Sequence, residues 1–112
     1  MGRKNSYSEA SIVRQILDYL NFKGYVCKRN NAGMMFIENP KDPRKKRAIK
    51  IGEVGFPDIE GITKQGRYFG IEVKRADGIV TDAQKATGDR IKKTGGIWFV
   101  ARSLDDVIDE GF

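Results

Sequence analysis

Apolar residues fall along this chain in two rhythms. Ile12, Val13, Ile16, Leu17 and Leu20 recur at intervals of three and four, the spacing of one helix face. They predict a helix from Ser6 to Asn21, stopped by Gly24. Ser6-x-x-Glu9 ahead of the run has the form of a capping box, with Glu9 reaching back to the Ser6 amide. Further on the period shortens to two. Ile59, Gly61, Phe69, Ile71 and Val73 alternate with Asp58, Glu60, Tyr68, Glu72 and Lys74, which predicts a half-buried hairpin over Pro57–Lys74. Lys64-Gln65-Gly66 makes a three-residue loop with glycine at its left-handed position. With that loop the numbers of facing residues sum to a constant, so Thr63 faces Arg67 and Asp58 faces Glu72.

The remaining elements are shorter. Tyr25–Arg29 and Met34–Glu38 read as strands joined by Asn30-Asn31-Ala32-Gly33, residues that suit a turn. Asn39–Arg47 reads as a loop, since it holds two prolines, five basic side chains, one acid and nothing apolar. Ala48–Gly52 then leads into the hairpin. After Lys74, Arg75-Ala76-Asp77-Gly78 is a turn, and a helix runs from Thr81 to Lys93. Thr81-x-x-Gln84 is a second capping box, and Thr94-Gly95-Gly96 closes that helix. Ile97–Ala101 is an unbroken apolar run, the mark of a buried strand. Ser103 caps a short acidic helix, Leu104–Asp109, whose carboxylates suit its own N-terminus. Together these elements predict an α/β fold, a central mixed β-sheet flanked by helices, in a single domain over 1–112.

Composition narrows the chemistry more than the fold. A chain of 112 residues with 39% hydrophobic content can bury a modest core without disulfides. No apolar run approaches a membrane span and no leader pattern stands at Met1-Gly2-Arg3-Lys4, so no membrane partner and a cytoplasmic location are expected. Cys27 is the only cysteine, which excludes disulfide frameworks and zinc clusters and reads as a small core residue. The chain contains no histidine, so Ser-His-Asp and Cys-His nucleophile systems are excluded. Acid–base work is left to carboxylates, lysine, tyrosine or metal-bound water. A net charge of +6 favours a polyanion partner.

The hairpin carries the candidate site. Side chains directly opposed across a strand pair have Cβ atoms roughly 4.5–5.5 Å apart, where two like charges are unfavourable. Asp58 and Glu72 so placed call for something positive between them, and Lys74 lies roughly 7 Å further along the same face. Two carboxylates beside a lysine suit a hard divalent cation, Mg²⁺ or Mn²⁺, which takes oxygen ligands and phosphate oxygens. That combination serves phosphodiester chemistry, with lysine orienting water or neutralising charge on phosphate. A surface hairpin with ordinary solvated charges is the plainer alternative.

Pro57-Asp58 followed by Glu72-Val73-Lys74 resembles the PD-(D/E)xK nuclease signature. The version is similar to the VRR-NUC nucleases, a small-domain branch found alone in phages and bacteria. Glu9 on an early helix, Arg29-Asn30-Asn31-Ala32-Gly33, Gly52, Gly55-Phe56, and Thr81-Asp82-Ala83-Gln84 follow in matching order over nearly the whole chain. The resemblance implies a restriction-endonuclease-like PD-(D/E)xK core. It also implies metal ligation by Asp58, Glu72 and the backbone carbonyl of Val73, with Lys74 acting on the attacking water and Glu9 and Gln84 in support. Arg29, Asn30 and Asn31 would line the substrate groove, although from the sequence alone turn chemistry explains them better. Glu9 and Gln84 likewise have complete explanations as capping residues.

Arg44, Lys45, Lys46, Arg47 and Lys50 can contact phosphates as point charges, or remain a solvated charge run. No aromatic residue interleaves them, so base stacking is not indicated. The function expected is a metal-dependent, structure-specific DNA endonuclease. By resemblance it would be a homodimer acting on branched DNA of the Holliday-junction type in a bacterial or phage-infected cell, leaving 5′-phosphate and 3′-hydroxyl ends. Two other readings stand beside it: a nucleic-acid-binding module without chemistry, and a flap or restriction-like nuclease that works with a partner.

Overall fold

The computed structural model describes residues 7–30, 33–51 and 55–112. Their order is α1 (Glu9–Phe22), β1 (Val26–Arg29), β2 (Gly33–Asn39), β3 (Asp42–Ile51), β4 (Ile59–Ile62), β5 (Tyr68–Val73), α2 (Asp82–Lys93), β6 (Ile97–Ala101) and α3 (Leu104–Asp109). Four strands form a mixed sheet in the order β1-β4-β5-β6. β1 and β4 are antiparallel, as are β4 and β5, whereas β5 and β6 run parallel, linked by the α2 crossover. The fold is therefore mixed α/β with helices on both faces of a four-stranded sheet.

Register is what places the site. Ile59 pairs with Ile71 and Ile62 with Tyr68, and the Thr63 amide donates to the Arg67 carbonyl at 2.8 Å. The facing numbers sum as the three-residue loop requires, and Gly66 takes φ +80° at its left-handed position. Phe69, Ile71 and Val73 point to one face, where α1 supplies Ile12, Val13, Ile16 and Leu20, and Val107 and Phe112 complete the core. Tyr25, Phe69 and Phe112 contact one another edge-on or tilted, with centroids 4.9–5.7 Å apart. The other face was expected to be half exposed. Instead α2 covers it over β5 and β6, and β5 is buried from Phe69 to Val73 on both sides. Gly88 of α2 permits that approach, because a Cβ there would stand inside the Trp98 indole. Cys27 is half-buried against the core, with no disulfide.

β1 and β2, read as strands either side of a turn, do not pair with each other, since β1 pairs with β4 and β2 with β3. Two further elements depart from the sequence reading. Helix α1 starts at Glu9, not Ser6, and its N-cap is Ser8, whose hydroxyl accepts from the Ser11 amide at 3.1 Å. Glu9 is thus the first helical residue, and Ser6 lies outside the described residues. Ser8 offers the same capping hydroxyl two residues later, so the helix needs no capping box.

The basic stretch Asn39–Arg47 is not a loop. β2 and β3 form an antiparallel two-stranded ribbon, Gly33 pairing with Ile51 and Glu38 with Lys46, turned at Pro40-Lys41. The register breaks between Glu38 and Asn39, which then pairs with Asp42. Pro43 falls inside that irregularity, so its missing N–H costs no ladder bond. Prolines and charge argued for a loop. Cross-strand pairing of the flanking residues outweighs both.

Candidate functional site

The site forms where β4 begins and β5 ends. Pro57 is buried and lies across Gly70, where any Cβ would meet the proline ring. Asp58 follows at once, half-buried, with its carbonyl accepting from the Asn30 amide at 2.6 Å. That bond extends the β1–β4 pairing by one step and ties the end of β1 to the site. The Asp58 carboxylate accepts from the Val73 amide, Oδ2 at 2.8 Å. A cation was expected between the two carboxylates; a backbone N–H does part of that work.

Glu72 stands opposite and is 1% exposed. Its Oε1 accepts from Gln84 Nε2 at 2.8 Å, while its buried Oε2 finds no donor. Gln84 also caps α2: its Oε1 accepts from the Thr81 amide at 2.9 Å, and Thr81 Oγ1 accepts from the Gln84 amide at 3.2 Å. Capping and site contact are therefore made by opposite ends of one amide. The side chain cannot flip without losing both.

Burial pushes the Glu72 carboxyl up to about 9, with further upward pressure from the Asp58 charge, a hydrogen bond shared with Asp58, and the charge of Glu9. Lys74 acts in the opposite direction but does not offset them. At neutral pH Glu72 therefore holds a proton toward Asp58. Tyr68, lower on the same face, is raised to about 12 by burial and by the Glu60 charge, and its hydroxyl finds no partner among the described residues. Tyr68 is thus removed from acid–base work near neutrality, leaving the carboxyl pair and Lys74 at this end of the sheet.

The structure brings Asp58, Glu72 and Gln84 together, with the Val73 amide on Asp58 and with Lys74 and Glu9 near enough for their charges to act on Glu72. In an extended strand the carbonyl lies along the same edge as the amide of its residue, so Val73 presents its carbonyl on the Asp58 side. These oxygens fit a divalent cation, because a buried carboxylate oxygen without a donor and a second carboxylate beside it are what such an ion satisfies. Among the described residues no group of three or more His, Cys, Asp or Glu side chains is arranged to hold a metal. A bound cation would therefore draw its remaining ligands from the carbonyl, water and phosphate.

Arg29 is exposed at the end of β1 and Asn30 follows against Asp58, whereas Asn31 lies outside the described residues. Arg44 and Lys45 are exposed on β3. Lys46, Arg47 and Lys50 belong to the same strand, with side chains outside the described set. Sequence reasoning missed the Val73 amide as partner of Asp58, although the facing register implied it. It also missed Arg102, which grips the turn after Lys74 and carries no local signal.

No protein-family model matches this chain, and no curated protein matches it. No helix of the described residues is long and apolar enough to cross a membrane.

Proposed function

We propose that the protein is a divalent-metal-dependent DNA endonuclease with a PD-(D/E)xK-type site, hydrolysing phosphodiester bonds. One observation carries the reading. Glu72 is buried as an acid against a second carboxylate, with one oxygen lacking any donor, at the sheet end where Lys74 emerges. Evolution gains nothing for stability from such a pair, since two adjoining carboxyls cannot both ionise in a buried site without a positive charge between them. A cation relieves it.

Asp58, Glu72 and the Val73 carbonyl would hold Mg²⁺ or Mn²⁺, which supplies Lewis-acid polarisation of phosphate and a lowered pKa for bound water. Asp58 is oriented by the Val73 amide and Glu72 by Gln84. Lys74 places a positive charge beside the scissile phosphate and orients the water that attacks it. Glu9, at the first turn of α1, adds negative charge that acts on Glu72. The ribbon β2–β3 follows β1 in the chain, and its basic residues neutralise backbone phosphates.

The substrate we assign is branched DNA of the four-way-junction type, cut by a homodimer whose two sites are related by a two-fold axis. A binding module without chemistry would share the basic ribbon. It would have no use for two carboxylates that repel the ligand.

The test is cleavage of a labelled four-way junction with Mg²⁺ or Mn²⁺, comparing the wild type with Lys74→Ala and Asp58→Ala, with linear duplex as control. Cutting of the junction alone, with both variants binding and not cutting, supports the reading. Cutting of duplex or flaps removes the junction from the proposal. Binding without cleavage under either metal removes the enzyme.

A further inference from the structure

Arg102 lies one residue beyond β6, outside every segment used in the proposed chemistry. Its guanidinium turns back across the end of the sheet. Nη1 donates to the carbonyls of Arg75 at 2.6 Å and Gly78 at 2.7 Å, with the Ala76 carbonyl at 3.4 Å. The two short bonds use both hydrogens of that nitrogen. All three carbonyls belong to the turn that directly follows Lys74.

That turn has little else to hold it. Among the described residues its one backbone bond runs from the Gly78 amide to the Arg75 carbonyl at 3.0 Å. The Arg75–Asp77 ion pair, 3.8 Å long between side chains 57% and 84% exposed, contributes little. Lys74 is tied to the same assembly through its backbone. Its amide donates to the carbonyl of Ala101, the residue before Arg102, at 3.1 Å. Gly78 folds back alongside it, within ordinary contact range of the Lys74 Cβ.

Arg102 is itself anchored. Its amide donates to Asp106 Oδ2 at 2.8 Å, and the Asp106 amide contacts the N-cap hydroxyl of Ser103 at 3.4 Å. A continuous path therefore runs from the first turn of α3 through Arg102 and the turn to the base of the Lys74 side chain. The guanidinium suits this role because its planar fork presents fixed donors, which an ammonium does not.

We propose that Arg102 is a positioning residue for Lys74: by clamping residues 75–78 it fixes the direction in which the lysine leaves the sheet toward Asp58 and Glu72. The catalytic consequence rests on the nuclease reading given above; the positional one does not. Displacing a catalytic group by about 1 Å costs on the order of 100-fold in rate. Loss of the clamp should therefore appear in kcat while DNA binding stays intact.

The experiment uses the full chain as wild type, Arg102→Gln and Arg102→Lys. Lysines are reductively methylated with ¹³C-formaldehyde and the methyl resonances recorded, the Lys74 signal being assigned by its loss in Lys74→Arg. In Arg102→Gln that signal should move to the envelope of solvent-exposed lysines, with amide resonances of the sheet unchanged. In parallel, unmethylated proteins cut a four-way junction with Mg²⁺. Arg102→Gln should lower kcat by about 10–100-fold with KM within about twofold, and Arg102→Lys should recover part of the loss by holding one carbonyl. An unmoved Lys74 signal overturns the proposal, even if kcat falls. A loss confined to KM overturns it as well. Should the wild type itself not cut DNA, the nuclease reading falls while the Lys74 signal still decides the clamp. Should Arg102→Gln not fold, Arg102→Lys carries both measurements.

Discussion

The Glu72 carboxyl makes a quantitative prediction about the metal-free protein. In the unfolded chain it titrates near 4.5 and in the fold near 9, raised by burial and by Asp58. A group whose folded pKa is raised makes the folded state bind the extra proton, so stability falls as pH rises. Below about 4.5 both states are protonated and the contribution is fully present. Between 4.5 and about 9 the unfolded chain releases its proton first and the contribution drains away; above about 9 the loss is complete. The residue is 1% exposed, but half-buried Asp58 and Lys74 beside it leave the site open to water on one side, so we count half the displacement. At ~1.4 kcal/mol per unit, that gives roughly 3 kcal/mol between pH 5 and pH 9. For a chain of this size it corresponds to a fall in Tm of roughly 12 °C.

Glu72→Gln isolates the effect. Its amide keeps an oxygen for Gln84 and offers a donor to Asp58, so it stands in for the protonated acid at every pH. Thermal unfolding in EDTA from pH 5 to pH 9 should show wild-type Tm falling relative to the variant, with the two converging near pH 5. Above neutrality the variant is the more stable protein. Added Mg²⁺ should recover the wild type at high pH, by about 2.7 kcal/mol at a hundredfold excess over its Kd, and should leave the variant nearly unmoved. Parallel Tm curves for the two proteins would refute both the buried acid and the argument for a cation site built on it.

Other outcomes are expected from single contacts. Gln84→Ala removes half of the α2 capping box and the donor to Glu72, and should cost about 2 kcal/mol in urea unfolding; Thr81→Ala should cost about 1 kcal/mol, the difference reporting the Glu72 bond. Gly88→Ala forces a methyl into the Trp98 indole and should destabilise by about 1–3 kcal/mol, with a shift in tryptophan emission. Arg44→Ala combined with Lys45→Ala should reduce the slope of log affinity for DNA against log salt by about 0.9 per lost phosphate contact, without changing kcat at saturation.

Legibility followed the range over which each interaction acts. The hairpin register was readable because loop length alone fixes which residues face, so Asp58 opposite Glu72 needed no tertiary information. The α2 cap was readable for the same reason: Thr81 and Gln84 meet within one turn. At α1 the local signal was ambiguous, since Ser6 and Ser8 both offer hydroxyls, and the choice between them rests on where the core needs the helix to begin. The basic ribbon was misread because strand pairing is a property of two segments, and neither β2 nor the proline-bearing β3 declares its partner.

Glu72 marks the deepest limit of the sequence. Alternation placed it on the polar face of a half-buried hairpin, which makes it an ordinary solvated acid. In the fold it is buried, with Gln84 of α2 bonded to it and Gly88 of the same helix set close against Trp98. The residue types that frame the site were therefore visible from spacing, but the burial that raises the Glu72 carboxyl was not. That burial comes with a helix folded over the carboxyl, whose glycine stands ten positions before the tryptophan it rests on.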